Sequence, residues 1–190
     1  KDIHTHSVSA DNTITINFIG FDSGTLNVTS SSGIIIGADI TNPSGTTTLT
    51  ANNGSITVES ETAILESNTL NLSATRGIGT QGRPLVLDMQ AGVLNATTTS
   101  GGIYISEVSN NLIVNQVTTG SGDVVLHVQQ NLVPMNTASL IQGGRIEIYS
   151  ELGSVGTSSS LPIRVNVGNN NLHDYLLVEA QGNVFIEETS

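Results

Sequence analysis

Short runs in which aliphatic and polar residues alternate recur along the whole chain. This period of two residues is typical of a strand with one buried face. Gly, Asn, Ser and Pro, which favour turns, separate the runs. No long segment has a helical period, so the pattern predicts an all-β protein. The predicted strands are TITINFI (13–19), TLNVT (25–29), TTTLT (46–50), SITVE (55–59), TLNLS (69–73), LVLD (85–88), GIYIS (102–106), NLIVN (111–115), DVVLHV (123–128), RIEIY (145–149), IRVNV (163–167) and NVFIE (183–187).

A short repeat orders these strands. GTTTLTANNGSI from Gly45 resembles NTLNLSATRGIG from Asn68, 23 residues later, and GDVVLHVQQNLV from Gly122 resembles GRIEIYSELGSVG from Gly144, 22 residues later. A period of about 21–24 residues with several short strands suits one coil of a parallel β-helix. Successive coils stack at about 4.8 Å, and no coil buries its apolar face alone.

A longer repeat lies over the short one. The segment ATRGIGTQGRPLVLD (74–88) resembles ELGSVGTSSSLPIRVN (151–166), with a shared Gly-Thr pair and a later proline. GGIYISE (101–107) and GNVFIEE (182–188) follow the two copies, which pairs Glu107 with Glu188. The offset drifts from 77 to 81 residues, so we interpret the long period as three or four coils with small insertions in turns.

The organisation that follows is a solenoid over residues 24–190. Residues 1–23 fit the repeat poorly and are predicted to form an N-terminal cap or a linker, with Phe18 as a large capping side chain. Residues 131–144 also break the rhythm and are predicted to be a corner insertion that covers the coil wall. The alternative fold is a β-sandwich of two immunoglobulin-like modules, but the short period and the lack of Trp speak against it.

Composition narrows the classes of partner. The net charge of −11 repels phosphate backbones and anionic lipids, so neither nucleic acid nor a charged membrane surface is an expected partner. No apolar run approaches the roughly 20 residues of a spanning helix, so no membrane insertion is expected. The absence of Cys excludes disulfides and thiolate metal sites. Without an initiating Met or a signal-peptide core, the chain is expected to be a piece of a longer protein.

The phrases GIGT…RPLVLD and GSVGT…LPIRVN, each followed by GGIYISE or GNVFIEE, resemble the shaft repeats of filamentous-haemagglutinin-like adhesins and related giant bacterial exoproteins. The resemblance covers roughly residues 24–190. It implies a right-handed parallel β-helix that is secreted or held at the outer surface of the cell. It also implies a structural or adhesive shaft without catalytic residues or cofactors. Its partners would be a host-cell surface, matrix or glycan, and the neighbouring coils of the parent protein.

Enzymatic β-helices are the alternative, so the titratable residues matter. A glycosidase needs two carboxyl groups that converge on one bond, and the aspartates are scattered along the chain. Glu59 and Glu61 share a strand face, which is most simply a solvated surface. His4 and His6 also share a face, but a third metal ligand is not evident. His127 is expected to have a hydrogen-bonded structural role, and we predict neither a metal nor a catalytic residue.

Three aromatic residues are the candidate ligand contacts. Tyr104, Tyr149 and Phe185 each lie beside aliphatic residues that are predicted to point inward, so their rings should point outward. Outward rings can stack on sugar rings, or they can cover a turn. The sequence therefore predicts a structural or adhesive shaft segment, with a carbohydrate-binding or carbohydrate-active β-helix as the alternative.

Overall fold

The computed structural model describes residues 5–17, 23–60, 62–168 and 173–189, and the side chains of Thr5 and His6 lie outside that description. The described residues form strands, turns and bends without a helix. The strands are β1 (Thr5–Ala10), β2 (Ile14–Ile16), β3 (Thr25–Ser30), β4 (Ile34–Ile36), β5 (Ile40–Ala51), β6 (Ser55–Val58), β7 (Ile64–Ala74), β8 (Gly77–Ile78), β9 (Leu85–Leu87), β10 (Val93–Thr98), β11 (Ile103–Glu107), β12 (Leu112–Thr119), β13 (Val124–Val128), β14 (Leu132–Pro134), β15 (Leu140–Gly143), β16 (Arg145–Ser150), β17 (Ile163–Val167), β18 (Tyr175–Ala180) and β19 (Ile186–Glu188).

Each strand pairs in parallel with the strand one coil later, and the chain winds into a β-solenoid of about eight coils. The predicted all-β parallel β-helix is therefore confirmed. The paired strands also exclude the β-sandwich, whose neighbouring strands are antiparallel. The short repeat is confirmed residue by residue, since Thr46 pairs with Thr69 and Val124 with Ile146. Most coils close in 20–25 residues, whereas Arg145 pairs with Tyr175 after 30.

The strands stack into two walls around one interior. Wall 1 contains β1, β3, residues 46–51 of β5, residues 69–74 of β7, β10, β12, β14, β15, β17 and β19. Wall 2 contains β2, β4, β6, β8, β9, β11, β13, β16 and β18, together with the first residues of β5 and β7. Inward residues of both walls form one continuous core.

Columns of aliphatic side chains run through the interior because equivalent positions of successive coils are in register. One column of wall 2 is fully buried from its second member to its seventh. Each buried Ile or Leu contributes about 1.5–3 kcal/mol to the free energy of unfolding. The column consists of Ile14, Ile34, Ile56, Ile78, Ile103, Val124, Ile146 and Leu176.

Outward polar residues form ladders on wall 1. The side-chain amide of Asn95 donates to Asn71 Oδ1 at 3.0 Å, and Asn115 donates to Asn95 Oδ1 at 2.9 Å. Because each amide both donates and accepts, the ladder links three successive coils along the solenoid axis. The Thr and Asn content of the sequence thus serves the same coil-to-coil pairing as the aliphatic columns.

The long repeat corresponds to a loop that leaves the wall and returns to it. Residues 79–84 leave after Ile78 and return at Leu85, and residues 156–162 leave after Val155 and return at Ile163. Gly79 and Gly156 begin the two loops with positive φ angles of 63° and 78°, a conformation that favours glycine. The first loop lies in wall 2 and the second in wall 1. The long period is therefore three and a half coils, which refines the prediction of three or four.

Two further predictions concern segments that break the rhythm. Within residues 131–144, β14 and β15 both continue wall 1 and enclose a short loop, 135–139, so the insertion lies within a wall instead of at a corner. Within residues 1–23, β1 pairs with β3 and β2 with β4, so both strands continue the solenoid. Phe18 lies outside the described residues, and a role of this segment as a cap or linker stays a prediction.

Candidate functional site

The outer surface of wall 2 brings together all three tyrosines of the chain. Tyr104 lies in β11, Tyr149 in β16 and Tyr175 in β18, which are successive strands of this wall together with β13. Alternation fixes the direction of each ring: Ile103 and Ile105 are fully buried, so Tyr104 points outward. We use the name tyrosine face for the group Tyr104, Asp123, His127, Arg145, Glu147, Tyr149 and Tyr175.

Two outward columns order the tyrosine face. In the first, Tyr104 pairs with Val125, which pairs with Glu147. Although Val125 points outward, it is only 7% exposed, so the larger side chains around it cover it. In the second column, His127 pairs with Tyr149, and Glu179 follows in the next coil. The rings of His127 and Tyr149 are stacked, with centroids 4.5 Å apart and planes inclined by 10°.

Arg145 and Glu147 form the centre of the face. Arg145 Nη2 lies 3.0 Å from Asp123 Oδ2, and its Nη1 lies 3.6 Å from Glu147 Oε1. The guanidinium carbon also lies 6.0 Å from the ring centroid of Tyr175, which is a cation–π distance. Tyr149 and Tyr175 both donate their hydroxyl protons to Glu147, at 3.2 Å and 2.5 Å. One carboxylate therefore orients two of the three phenols.

The surroundings raise the pKa of all three phenols. Burial raises the pKa of Tyr104, and the negative charge of Asp123 adds to the effect. Burial likewise raises the pKa of Tyr149, with a further contribution from the charge of Glu147. For Tyr175, the hydrogen bond to Glu147 is the largest cause of its raised pKa. The three hydroxyls therefore stay protonated at neutral pH, and those of Tyr149 and Tyr175 donate their protons to Glu147.

Two open grooves border the tyrosine face. The first has a volume of ≈ 480 Å³ and is lined by His127, Tyr149, Ser150, Glu151, Glu179, Ala180 and Gln181. The second has a volume of ≈ 430 Å³ and is lined by Ser121, Asp123, Gly144, Arg145, His173, Asp174 and Tyr175. Each groove is thus lined by one tyrosine and two acidic residues.

Two of the three predicted contact residues thus lie on the same outer face, and the third does not. Tyr104 and Tyr149 share the tyrosine face, whereas Phe185 lies on wall 1, half-buried against the backbone at Gly156. Sequence reasoning missed Tyr175, because the coil before it is 30 residues long and falls outside the short repeat. The alternation in YLLVEA was the available signal. A ligand-binding role for these residues stays a prediction.

The histidine and glutamate residues that the sequence analysis considered are His4, His6, His127, Glu59 and Glu61. His127 is exposed and contacts the ring of Tyr149, an aromatic stack instead of the expected hydrogen-bonded role. Glu59 is exposed. His4, the side chain of His6, and Glu61 lie outside the described residues. Among the residues that are described, no three His, Asp or Glu side chains lie close enough together to hold a metal ion.

One carboxylate that the sequence did not single out is buried. Glu107 is 1% exposed and accepts hydrogen bonds from the backbone N–H groups of Met89, Ser109 and Asn110. Burial raises its pKa, and these backbone donors act in the opposite direction. Its neighbour Asp88 accepts hydrogen bonds from the side chains of Ser109 and Asn110. This group fastens a turn of one coil to the coil before it.

Comparisons with known proteins give no family for this chain. No protein-family model, no curated protein and no solved structure matches it. The described residues also contain no helix of the length and hydrophobicity that crossing a bilayer requires.

Proposed function

We propose that this chain is a structural or adhesive shaft segment of a large secreted or surface-exposed bacterial protein of the filamentous-haemagglutinin-like kind. The observation that carries the proposal is the interior column from Ile34 to Ile146, in which every coil supplies one fully buried aliphatic residue. In such a stack each coil contacts the coil before it and the coil after it, so the solenoid extends along one axis. A structure of this kind holds a binding surface at a distance from its anchor.

The surroundings of three acidic residues, Asp123, Glu147 and Glu107, support a role without catalysis. Asp123 and Glu147, the two carboxylates of the tyrosine face, are both paired with Arg145. Glu107 is enclosed by backbone donors inside the solenoid. A glycosidase of the common kind needs one carboxyl group as a proton donor and another as a nucleophile or base, both directed at the same bond. We accordingly propose a segment that needs no cofactor, and whose partners are neighbouring coils and a host-cell, matrix or glycan surface.

Two measurements test the shaft. About eight coils at roughly 4.8 Å predict a rod nearly 40 Å long, and small-angle scattering should give a pair-distance distribution with the long tail of a rod. Beads that carry the folded chain should bind cultured cells or matrix, and beads that carry the heat-denatured chain should not. A symmetrical distribution typical of a sphere contradicts the shaft. Rod-like scattering without bead binding limits the role to structure.

The second candidate is a carbohydrate-binding or carbohydrate-active β-helix. The clustering of Tyr104, Tyr149 and Tyr175 on one outer face favours it, because aromatic faces pack on the apolar faces of sugar rings. Titration with neutral oligosaccharides, observed through tyrosine fluorescence, tests binding. Release of reducing ends from polysaccharides tests activity. Saturable binding that Tyr149→Leu abolishes favours this candidate over a purely structural segment.

A further inference from the structure

We propose that the groove beside Tyr149 binds a cationic side chain, an alkylammonium or guanidinium group, from a basic protein partner. The residues that line the groove include Tyr149, Glu151 and Glu179, together with His127, Ser150 and Gln181. The proposal names the ligand chemistry of the adhesive role above and rests on that role. Its test is independent of particle shape, so the two can fail separately.

The tyrosine face already contains one bound cation, the side chain of Arg145. Its guanidinium lies 3.0 Å from Asp123, 3.6 Å from Glu147 and 6.0 Å from the ring centroid of Tyr175. Two carboxylates and a tyrosine ring thus surround the guanidinium group of an arginine on this wall. Arg145 and Tyr175 come from paired positions of adjacent coils, so the contact follows from the register alone.

The neighbouring groove also combines a tyrosine with two acidic residues, and no Lys or Arg is among its lining residues. Tyr149 and Glu179 are paired positions of the same two coils, as Arg145 and Tyr175 are. Glu151 follows β16 and supplies the second carboxylate. No Lys or Arg in the described part of the chain forms an ion pair with Glu151 or Glu179. The groove therefore has a ring and two negative charges that are available to a cation from outside.

The stack with His127 directs the ligand to one face of Tyr149. His127 covers the face toward the preceding coil at 4.5 Å, and the other face lies toward the coil of Glu179. A planar or rod-shaped cation entering there contacts the ring and the carboxylates together, and the net charge of −11 attracts it from a distance. A neutral sugar uses the ring and the acceptors but gains nothing from the charge.

A single exposed site of this kind is weak, so a polybasic partner is the expected occupant. A cation–π contact and solvent-screened ion pairs give a dissociation constant on the order of 1 mM for one side chain. Several basic groups on one partner, together with repeated copies of the solenoid on a surface, raise the overall affinity through effective concentration. Binding should weaken as salt increases, because the charges are exposed.

Nuclear magnetic resonance titration of the whole chain tests the site directly. The probes are acetyl-arginine amide, a hexa-arginine peptide, a hexa-glutamate peptide and neutral maltohexaose. The ring protons of His127, assigned with His127→Gln, report on the stack with Tyr149. We expect saturable shifts with the two arginine probes, tighter for the peptide, and none with hexa-glutamate. Spermine is included as a small polyamine. If it binds more tightly than the hexa-arginine peptide, the source of the cation is a polyamine and not a basic protein.

Matched variants test whether the arginine probes bind in the groove beside Tyr149. Tyr149→Leu should raise the dissociation constant about fivefold, and Glu179→Gln about threefold. The control is Glu59→Gln, which removes the same charge from an earlier coil of wall 2 and should leave the dissociation constant unchanged. If Tyr149→Leu does not fold, Glu179→Gln against Glu59→Gln gives the same comparison. Equal effects of the two glutamate variants, or tighter binding of maltohexaose than of the arginine peptide, overturn the proposal.

Discussion

Glu107 pairs with Leu87 of the preceding coil, which places a carboxylate in an interior column of wall 2. The column runs Ile40, Leu65, Leu87, Glu107, Val128, Ser150 and Ala180. Three backbone N–H groups surround the carboxylate, at 2.9 Å from Met89, 3.3 Å from Ser109 and 3.2 Å from Asn110. A buried carboxylate is tolerated when hydrogen bonds replace its hydration, and this one receives its donors from two coils.

Replacing Glu107 should destabilise the solenoid even where the new residue suits the aliphatic column. Glu107→Leu leaves the buried N–H of Met89 and the half-buried N–H groups of Ser109 and Asn110 without an acceptor, and we expect a loss of about 2–4 kcal/mol in the free energy of unfolding. Urea denaturation measures it. The control is Glu188→Gln, because Glu188 accepts the N–H of Val167 in the equivalent way but is exposed. A Glu107→Leu chain as stable as the unaltered chain would show that dehydration of the carboxylate offsets all three bonds.

The raised pKa of Glu107 predicts a pH dependence with a definite sign. The folded state holds this proton more tightly than the unfolded state, whose carboxyl has the usual pKa of 4.5. The contribution to stability is therefore present below pH 4.5 and is lost as the pH rises through the folded-state pKa. The unfolding free energy of Glu107→Gln should fall less over that rise than the unaltered chain's. Parallel curves for the two proteins, measured with urea at several pH values, would contradict this.

Three glycines in the two loops allow the cost of backbone strain to be compared with the cost of losing a glycine. Alanine at Gly79 needs a positive φ and brings its Cβ against the carbonyl oxygen of Tyr104, and alanine at Gly156 meets that of Phe185. We expect each substitution to cost about 1–3 kcal/mol. Gly82, in the first loop, has open space around its Cβ position, so Gly82→Ala should change stability by less than about 0.5 kcal/mol. Thermal unfolding of the three variants separates backbone strain from simple loss of glycine.

The position of a coil in the stack should set the cost of a buried charge. Ile105 is fully buried between Leu85 and Leu126, whereas Ile186 is half-buried in the last described coil. Ile105→Asp should unfold the chain or cause it to aggregate, and Ile186→Asp should leave most of the solenoid folded with a lower melting temperature. Circular dichroism melting curves distinguish the two. Equal melting temperatures would mean that the end coil is as tightly packed as the middle.

The two ends of the described solenoid should associate when charge repulsion is screened. Val8 is 49% exposed at one end and Val184 is 48% exposed at the other, beside strands that have a partner on only one side among the described residues. Repulsion between chains of net charge −11 opposes stacking, and salt weakens that repulsion. Light scattering should show monomers at low salt and end-to-end oligomers at high salt. Val184→Lys should suppress the oligomers, and an unaltered monomer at high salt and high concentration contradicts the prediction.

The amino-acid sequence by itself determined most of the strands, their inward and outward faces, and the usual coil length, although β4, β10 and β18 were not among the predicted strands. These properties are local: alternation sets the face of each residue, as at Ile103 and Tyr104, and turn-forming residues set the strand ends. The pairing of Thr46 with Thr69 could be predicted because two adjacent coils of nearly equal length carry similar residues.

Only the tertiary structure decided which outward residues meet and which acid is buried. Lateral neighbours depend on the summed length of whole coils, so the 30-residue coil before Tyr175 and the loops at Gly79 and Gly156 change the partners of every residue beyond them. For this reason Tyr175 joins Tyr104 and Tyr149, while Phe185 lies on the other wall. Glu107 is buried because its column is inward, and the three donors that make its burial tolerable are supplied by turns that the alternating pattern does not describe.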